Sequence, residues 1–248
     1  MDEKDFIRRC GEYFQEFTKY KYSSEYPDMA KGKPMPKPEK IPVSIEQMIK
    51  LPNPELLKGD IQNIILNRKS RRNFDKSKSI SPEKLSAILY YTAGIRPNEQ
   101  IYFRMTPSAG ALHPLNTYVL INRVDSVPNG IYLYIPSKHG IAPINTEPNV
   151  SEALTESSLR QEMVRKSNIT IIWTAEIYRA YYKYMNRAYR YIYLDAGHAC
   201  QNVYLVSEAL GLGCCAIAAL EDEAVSEILK IDGKTEFPIY IIAIGINK

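Results

Sequence analysis

Residues 182–220, YKYMNRAYRYIYLDAGHACQNVYLVSEALGLGCCAIAAL, constrain the fold more than any other stretch. Ala196, Ala199, Val203, Val206 and Leu210 recur at steps of three and four, so the spacing predicts a helix with one buried stripe. Gly211 falls just past that stripe, where a left-handed C-terminal cap belongs. Ahead of the helix, Lys183, Tyr184, Arg187 and Arg190 stand in a dense field of tyrosines. A buried helix joined to a glycine turn and preceded by titratable groups suggests the floor of a site.

Composition mainly excludes. The 248 residues suffice for one full domain, or a domain plus an arm. A net charge of +4, from 32 basic and 28 acidic residues, is too weak and dispersed to argue for nucleic acid, and fits a solvated mixed surface. No apolar run approaches a membrane span, and MDEKDFIRRC lacks the apolar core of a signal peptide, so the expectation is a cytoplasmic protein. Cys10, Cys200, Cys214 and Cys215, with His113, His139 and His198, show no metal-ligand spacing, so no metal is expected. Cys214 and Cys215 sit among apolar residues, where buried, inert thiols are the default.

Residues 1–45 read as an arm and linker, and 46–248 as the body. The arm can form a short helix with Phe6, Tyr13, Phe14 and Phe17 as its apolar members, before KGKPMPKPEKIP interrupts it. It fits either a loose tail or an arm that docks its aromatics on a partner subunit. In the body, Ser81 caps a helix that starts at Pro82 and runs to about Ala93. Strands are predicted over Asn116–Ile121, Ile169–Ala175 and Phe237–Ile244, with a hairpin over Gly130–Ile144 turning near His139-Gly140. Helices are predicted from Ser151 to about Arg165 and near Ala224–Lys230. Early strands, late helices and a closing strand favour an α+β sandwich.

Gly211-Leu-Gly213-Cys-Cys-Ala216 matches GxGxxA, but a helix precedes it where a dinucleotide-binding turn needs a strand, so a Rossmann fold is rejected. Pro107-Ser108-Ala109-Gly110 is not a GxSxG elbow, and no GxxxxGK[ST] is present. Two segments remain. The run from Asn67 to Phe74 holds Arg68, Lys69, Ser70, Arg71 and Arg72, a set that could clamp a phosphate through planar, bidentate arginines or could simply be a solvated face. Thr106–Pro114 is bounded by prolines and rich in small residues, which suits close backbone approach to a flat ligand, or merely a turn.

The order of R-x-S-x-R-x-F, PSAGALHP, KYxxRxYRYxxLDAGHxxQN and LGLG resembles the nitroreductase superfamily of flavin enzymes. It is most similar to the azoline dehydrogenase branch, which oxidises thiazolines and oxazolines in ribosomally made peptides. The resemblance spans about Ile61 to Gly245. It implies an α+β fold with a central, mostly antiparallel sheet flanked by helices, and a homodimer with FMN held across the interface. By position it implies that Arg68, Ser70 and Arg72 hold the phosphate and ribityl end. Pro107, Ser108, Ala109 and Gly110 would line the isoalloxazine, and the backbone at Ala218 and Ala219 would face its N5. Lys183-Tyr184 matches the Lys-Tyr pair that the branch uses for catalysis. The sequence departs from ordinary nitroreductases at Ala218-Ala219, where those carry acidic and glycine residues.

The expected reaction is hydride transfer from an azoline to flavin N5, with Lys183 and Tyr184 as candidates for the proton step. Without the resemblance, the two would read as a helix-surface lysine beside a packing tyrosine. A cyclodehydratase is an implied partner. The alternatives are a generic NAD(P)H-dependent nitro or quinone reductase on the same scaffold, and a flavin-binding protein without turnover. His198 is given no role.

Overall fold

The computed structural model describes residues 3–22 and 25–248; residues 1, 2, 23 and 24 of the expected arm lie outside the described residues. Its centre is a seven-stranded sheet in the order β1-β4-β3-β2-β5-β7-β6, with every neighbouring pair antiparallel. The strands are β1 (Ile49–Lys50), β2 (Leu115–Ile121), β3 (Gly130–Ile135), β4 (Gly140–Asn145), β5 (Ile169–Glu176), β6 (Gly213–Ile217) and β7 (Glu236–Gly245). The helices are α1 (Glu3–Phe17), α2 (Ile61–Asn67), α3 (Pro82–Ala93), α4 (Val150–Ser157), α5 (Met163–Lys166), α6 (Ile177–Tyr184), α7 (Ala188–Ala209) and α8 (Asp222–Leu229).

The inner strands are apolar without alternation because both faces are covered. Successive side chains point to opposite faces. Val119, Ile121, Ile171 and Trp173 pack with α3 and α7, whereas Tyr118, Leu120, Ile172 and Ile241 pack with α4, α5 and α8. Helix α3 begins as its sequence dictates: Ser81 Oγ accepts from Lys84 N, and Pro82 occupies the first turn. Helix α7 buries Ala196, Ala199, Val203 and Val206, and Gly211 follows it at φ +70°.

Two features depart from the sequence reading. The helix expected from Ser151 to about Arg165 is two, because Leu159 and Arg160 take φ of 51° and 57° and break the first after Ser157. The small-residue run after Gly211, for which no element was predicted, is an edge strand, Gly213–Ile217, paired to β7. Helix α1 lies along α7 of its own chain. Arg187 Nη1 donates to Thr18 O at 3.0 Å, Arg190 Nη2 donates to Gln15 O, and Phe14 meets Tyr193 edge-on at 6.3 Å. Two cations at the carboxyl end of α1 also complement its dipole. Cys10 on α1 is exposed, whereas Cys200, Cys214 and Cys215 are buried.

The proline-rich linker is held by one buried carboxylate. Glu236, at the start of β7, accepts from Asn116 Nδ2 (2.9 Å), Tyr118 OH (2.9 Å) and Thr174 Oγ1 (2.6 Å), and pairs with Lys40 Nζ of the linker at 2.5 Å. Burial opposes its charge, but Lys40 and the hydroxyl and amide donors outweigh it and hold its carboxyl below the usual glutamate range. Lys40→Ala leaves that charge one donor short, with an expected cost of about 1–3 kcal/mol in urea unfolding. Adding Glu236→Gln is expected to recover part of that loss in a double-mutant cycle.

Candidate active site

The loop between α3 and β2 carries Pro107, Ser108, Ala109 and Gly110, and α7 holds it from beneath. Asp195, buried on α7, accepts from Ser108 Oγ at 2.6 Å and from Ala109 N at 3.2 Å, while Ser108 Oγ accepts from His113 N at 3.0 Å. Burial keeps the Asp195 carboxyl above the usual aspartate range despite those donors.

Lys183 and Tyr184 close the last turn of α6, and both reach this loop. A Cβ built on Gly110 would stand 2.6 Å from Tyr184 OH and 3.1 Å from Lys183 Nζ. Gly110 also has φ +61°, in the left-handed region that glycine adopts without strain. Lys183 Nζ lies 5.4 Å from the centre of the Tyr184 ring. Burial, with Tyr191 and Asp195 nearby, raises Tyr184 above the usual tyrosine range, so its phenol keeps its proton at neutral pH. Tyr191 meets the Tyr184 ring edge-on at 4.7 Å, shares a 2.7 Å hydrogen bond with Tyr20 of the arm, and accepts from Arg187 Nε at 3.0 Å. Burial works against charge on Tyr191, but those two bonds outweigh it and hold this phenol below the usual range.

A second cluster lies farther along α7. Nine residues separate Asp195 from Tyr204, roughly 13 Å at the helical rise. Tyr204 OH bonds Ser70 Oγ at 2.9 Å and accepts from Ala216 N at 3.0 Å, and the Arg68 guanidinium lies 5.3 Å from its ring centre. Ala218 and Ala219 follow β6 as exposed residues. Arg72 is exposed and lines an open cleft with Asn247 and Lys248. Arg71 is committed to Glu208 on α7 at 2.5 Å, so the run is not four equivalent cations. Among the described residues, neither Arg68 nor Arg72 has a carboxylate within ion-pair distance.

The expected site residues thus fall into two groups. Lys183, Tyr184 and Pro107–Gly110 come together; Arg68, Ser70 and the Ala218-Ala219 backbone gather near the β6 edge. Sequence reasoning missed Asp195, Tyr191 and Tyr204, although all three lie in or just beyond the quoted tyrosine-rich motif. His198 is exposed, one turn beyond Asp195. Among the described residues, no group of three or more His, Cys, Asp or Glu could hold a metal, and no helix is long and apolar enough to cross a membrane.

Gly110→Ala tests the convergence. The added methyl meets the Tyr184 phenol and forces an unfavourable φ, so a loss of roughly 1–2 kcal/mol in thermal unfolding is expected, with the Tyr184 ring displaced.

Comparison with known proteins identifies the family. Over 197 residues the chain is 34% identical to MJ1384, a protein of Methanocaldococcus jannaschii named as a nitroreductase, covering 79% of this chain and 95% of that one. It is 25% identical over 217 residues to the microcin B17-processing protein McbC of Escherichia coli, covering 82% of this chain and 80% of the relative. A solved chain of the E. coli microcin synthetase McbBCD complex, with truncated pro-MccB17 bound, shares the fold at a TM-score of 0.63 and 18% identity, covering 98% of this chain and 97% of that one. The Nitroreductase family model matches residues 65–246, and the chain belongs to that family of oxidoreductases.

Proposed function

We propose that this protein is an FMN-dependent dehydrogenase that oxidises azoline rings in a modified peptide. The observation that carries the reading is the convergence of Lys183 Nζ and Tyr184 OH on Gly110, beside the loop clamped by Asp195. Likeness to a microcin-processing protein supports the peptide substrate, and a cyclodehydratase is the partner that would supply it.

The residues fit a flavin. Arg68 and Arg72 keep guanidinium groups available for a phosphate, and the exposed Ser70 hydroxyl lies between them in sequence. The Pro107–Gly110 loop and the exposed small residues Ala218-Ala219 suit the edge and face of a planar ring. When bound, FMN supplies the hydride acceptor. Dehydrogenating an azoline removes a hydride from one ring carbon and a proton from its neighbour. Lys183 Nζ takes that proton, and the protonated Tyr184 phenol orients the ring by donating a hydrogen bond. Asp195 holds the loop in place against both.

Lys183→Ala and Tyr184→Phe are expected to keep the fold and the flavin yet lose about a hundred- to ten-thousandfold in thiazoline-peptide oxidation. The measurement pairs that assay with nitroaromatic reduction by NADPH. Wild-type protein that reduces nitroaromatics briskly but leaves thiazolines untouched would favour a generic reductase, the reading that the likeness to MJ1384 supports. Heat-denatured protein is expected to release FMN, and Arg68→Ala to bind it more weakly by roughly 1.5–3 kcal/mol.

The same reading makes the protein a homodimer with flavin sites across the interface. Ile61, Ile65 and Leu66 on α2, with Tyr193 and Leu194 on α7, are exposed apolar side chains on two helices that pack together. Sedimentation is expected to give a dimer, and a flavin-loaded monomer at micromolar concentration would contradict it.

A further inference from the structure

Arg104 is buried immediately ahead of the Pro107–Gly110 loop, and no acid among the described residues forms an ion pair with it. It is 9% exposed. Its guanidinium makes one hydrogen bond among the described residues, from Nη2 to Pro38 O, and its Nε is buried without a partner. Glu39 favours its charge from outside ion-pair distance, while its carboxylate accepts from Ser137 N and Oγ rather than from the guanidinium. The other neighbours offer no relief. Arg179 repels it, and His113, whose pKa burial and the two arginines lower to about 4, is neutral.

Anchoring the linker at Pro38 needs only a neutral donor, which a glutamine would provide. A full charge held in the interior is costly unless an anion meets it. Arg104 borders two spaces. One is a small cavity of about 30 Å³ shared with Thr92, Trp173 and Asp195, room for a water. Thr92 Oγ1 there is also buried without a partner. The other is an open cleft of about 300 Å³ lined by Arg96, Tyr102, Phe103, Arg104, Thr106 and the Pro107-Ser108 turn. That volume lies at the lower end of small-ligand sites. No aspartate or glutamate lines the cleft; Arg96 stands on its rim, its guanidinium 5.4 Å from the Phe103 ring centre and 3.9 Å from Glu99 outside the cleft.

We infer that this cleft is a carboxylate-binding subsite, with the buried Arg104 as its counter-charge, that seats an acidic group of the substrate beside the catalytic loop. That the carboxylate belongs to a peptide rests on the proposed function; that the cleft binds one does not. An aspartate or glutamate side chain and a free chain terminus present the same chemistry and differ in where the peptide must end.

Three tripeptides separate these cases: acetyl-Gly-Asp-Gly-amide, acetyl-Gly-Asn-Gly-amide and acetyl-Gly-Asn-Gly with a free carboxylate. Each is titrated into the purified full-length protein by calorimetry. Emission from Trp173, the single tryptophan, which lines the cavity shared with Arg104, provides a second readout. The expected result is saturable binding of a charged peptide and none of the neutral one. If the aspartyl peptide binds, the source is a side chain; if only the free carboxylate binds, it is a terminus. Arg104→Gln should weaken the charged peptide about tenfold or more. Arg104→Lys, which keeps the charge but loses the planar fork, should fall between. Equal binding of charged and neutral peptides, undiminished binding to Arg104→Gln, or no charged peptide bound at millimolar concentration would each overturn the subsite. If Arg104→Gln does not fold, the wild-type comparison of charged with neutral peptide decides alone. Loss of the azoline reading, with charged-peptide binding intact, leaves the subsite standing.

Discussion

The carboxylate of Glu236 is the point to which the centre of the sheet is tied. It joins side chains from three adjacent strands, β2, β5 and β7, and draws the linker onto them through Lys40. A charge this deep is tolerable only because each partner is present, since its desolvation would otherwise exceed what a single ion pair returns. Paired side chains fix register. Asn116, Thr174 and Glu236 can reach one another only if β2, β5 and β7 keep their observed alignment.

From that point a polar chain runs to the site. Asn116, which donates to Glu236, accepts from Arg179 Nη1 at 2.9 Å through its own oxygen. Arg179, 1% exposed on α6, also donates to His113 O at 3.3 Å and pairs with Glu176 at 2.5 Å. His113 N then donates to Ser108 Oγ, which donates to Asp195. Helix α6, which presents Lys183 and Tyr184, and the loop they meet are thus oriented by one buried network. Its members come from distant parts of the chain, so packing around the sheet and placement of the site are a single problem. Removing one member would leave its neighbours desolvated and unpaired, the most costly condition for buried polar groups.

Local chemistry was legible in the sequence; chemistry set by distant partners was not. Ser81 and Pro82 announced α3, the three-and-four spacing announced the buried face of α7, and the apolar runs of β2, β5 and β7 announced inner strands. Strand β6 was obscured because Gly213-Cys-Cys-Ala-Ile217 is short and small, and becomes a strand only by pairing with β7. The break between α4 and α5 depends on two non-glycine residues in left-handed conformations, which periodicity does not register. In the site, Lys183-Tyr184 and the small-residue loop were found through family resemblance. Asp195 stood in the same motif, yet its task depends on Ser108 and Ala109, more than eighty residues earlier. Arg104 and Glu236 are each an ordinary charge in the sequence, and only burial makes them unusual.

The thiols divide the molecule in a way that experiment can use. Burial pushes Cys200 and Cys214 up to about 12, and Cys215 is sealed in the core with Ile217 and Val225, so none of the three is open to reagents in solvent. Cys10 stands outside, on the arm helix that leans on α7. The unaltered chain therefore carries its own attachment point for a maleimide dye or nitroxide. Such a reporter would test whether the arm parts from α7 and breaks the Tyr20–Tyr191 hydrogen bond, with no engineered cysteine needed.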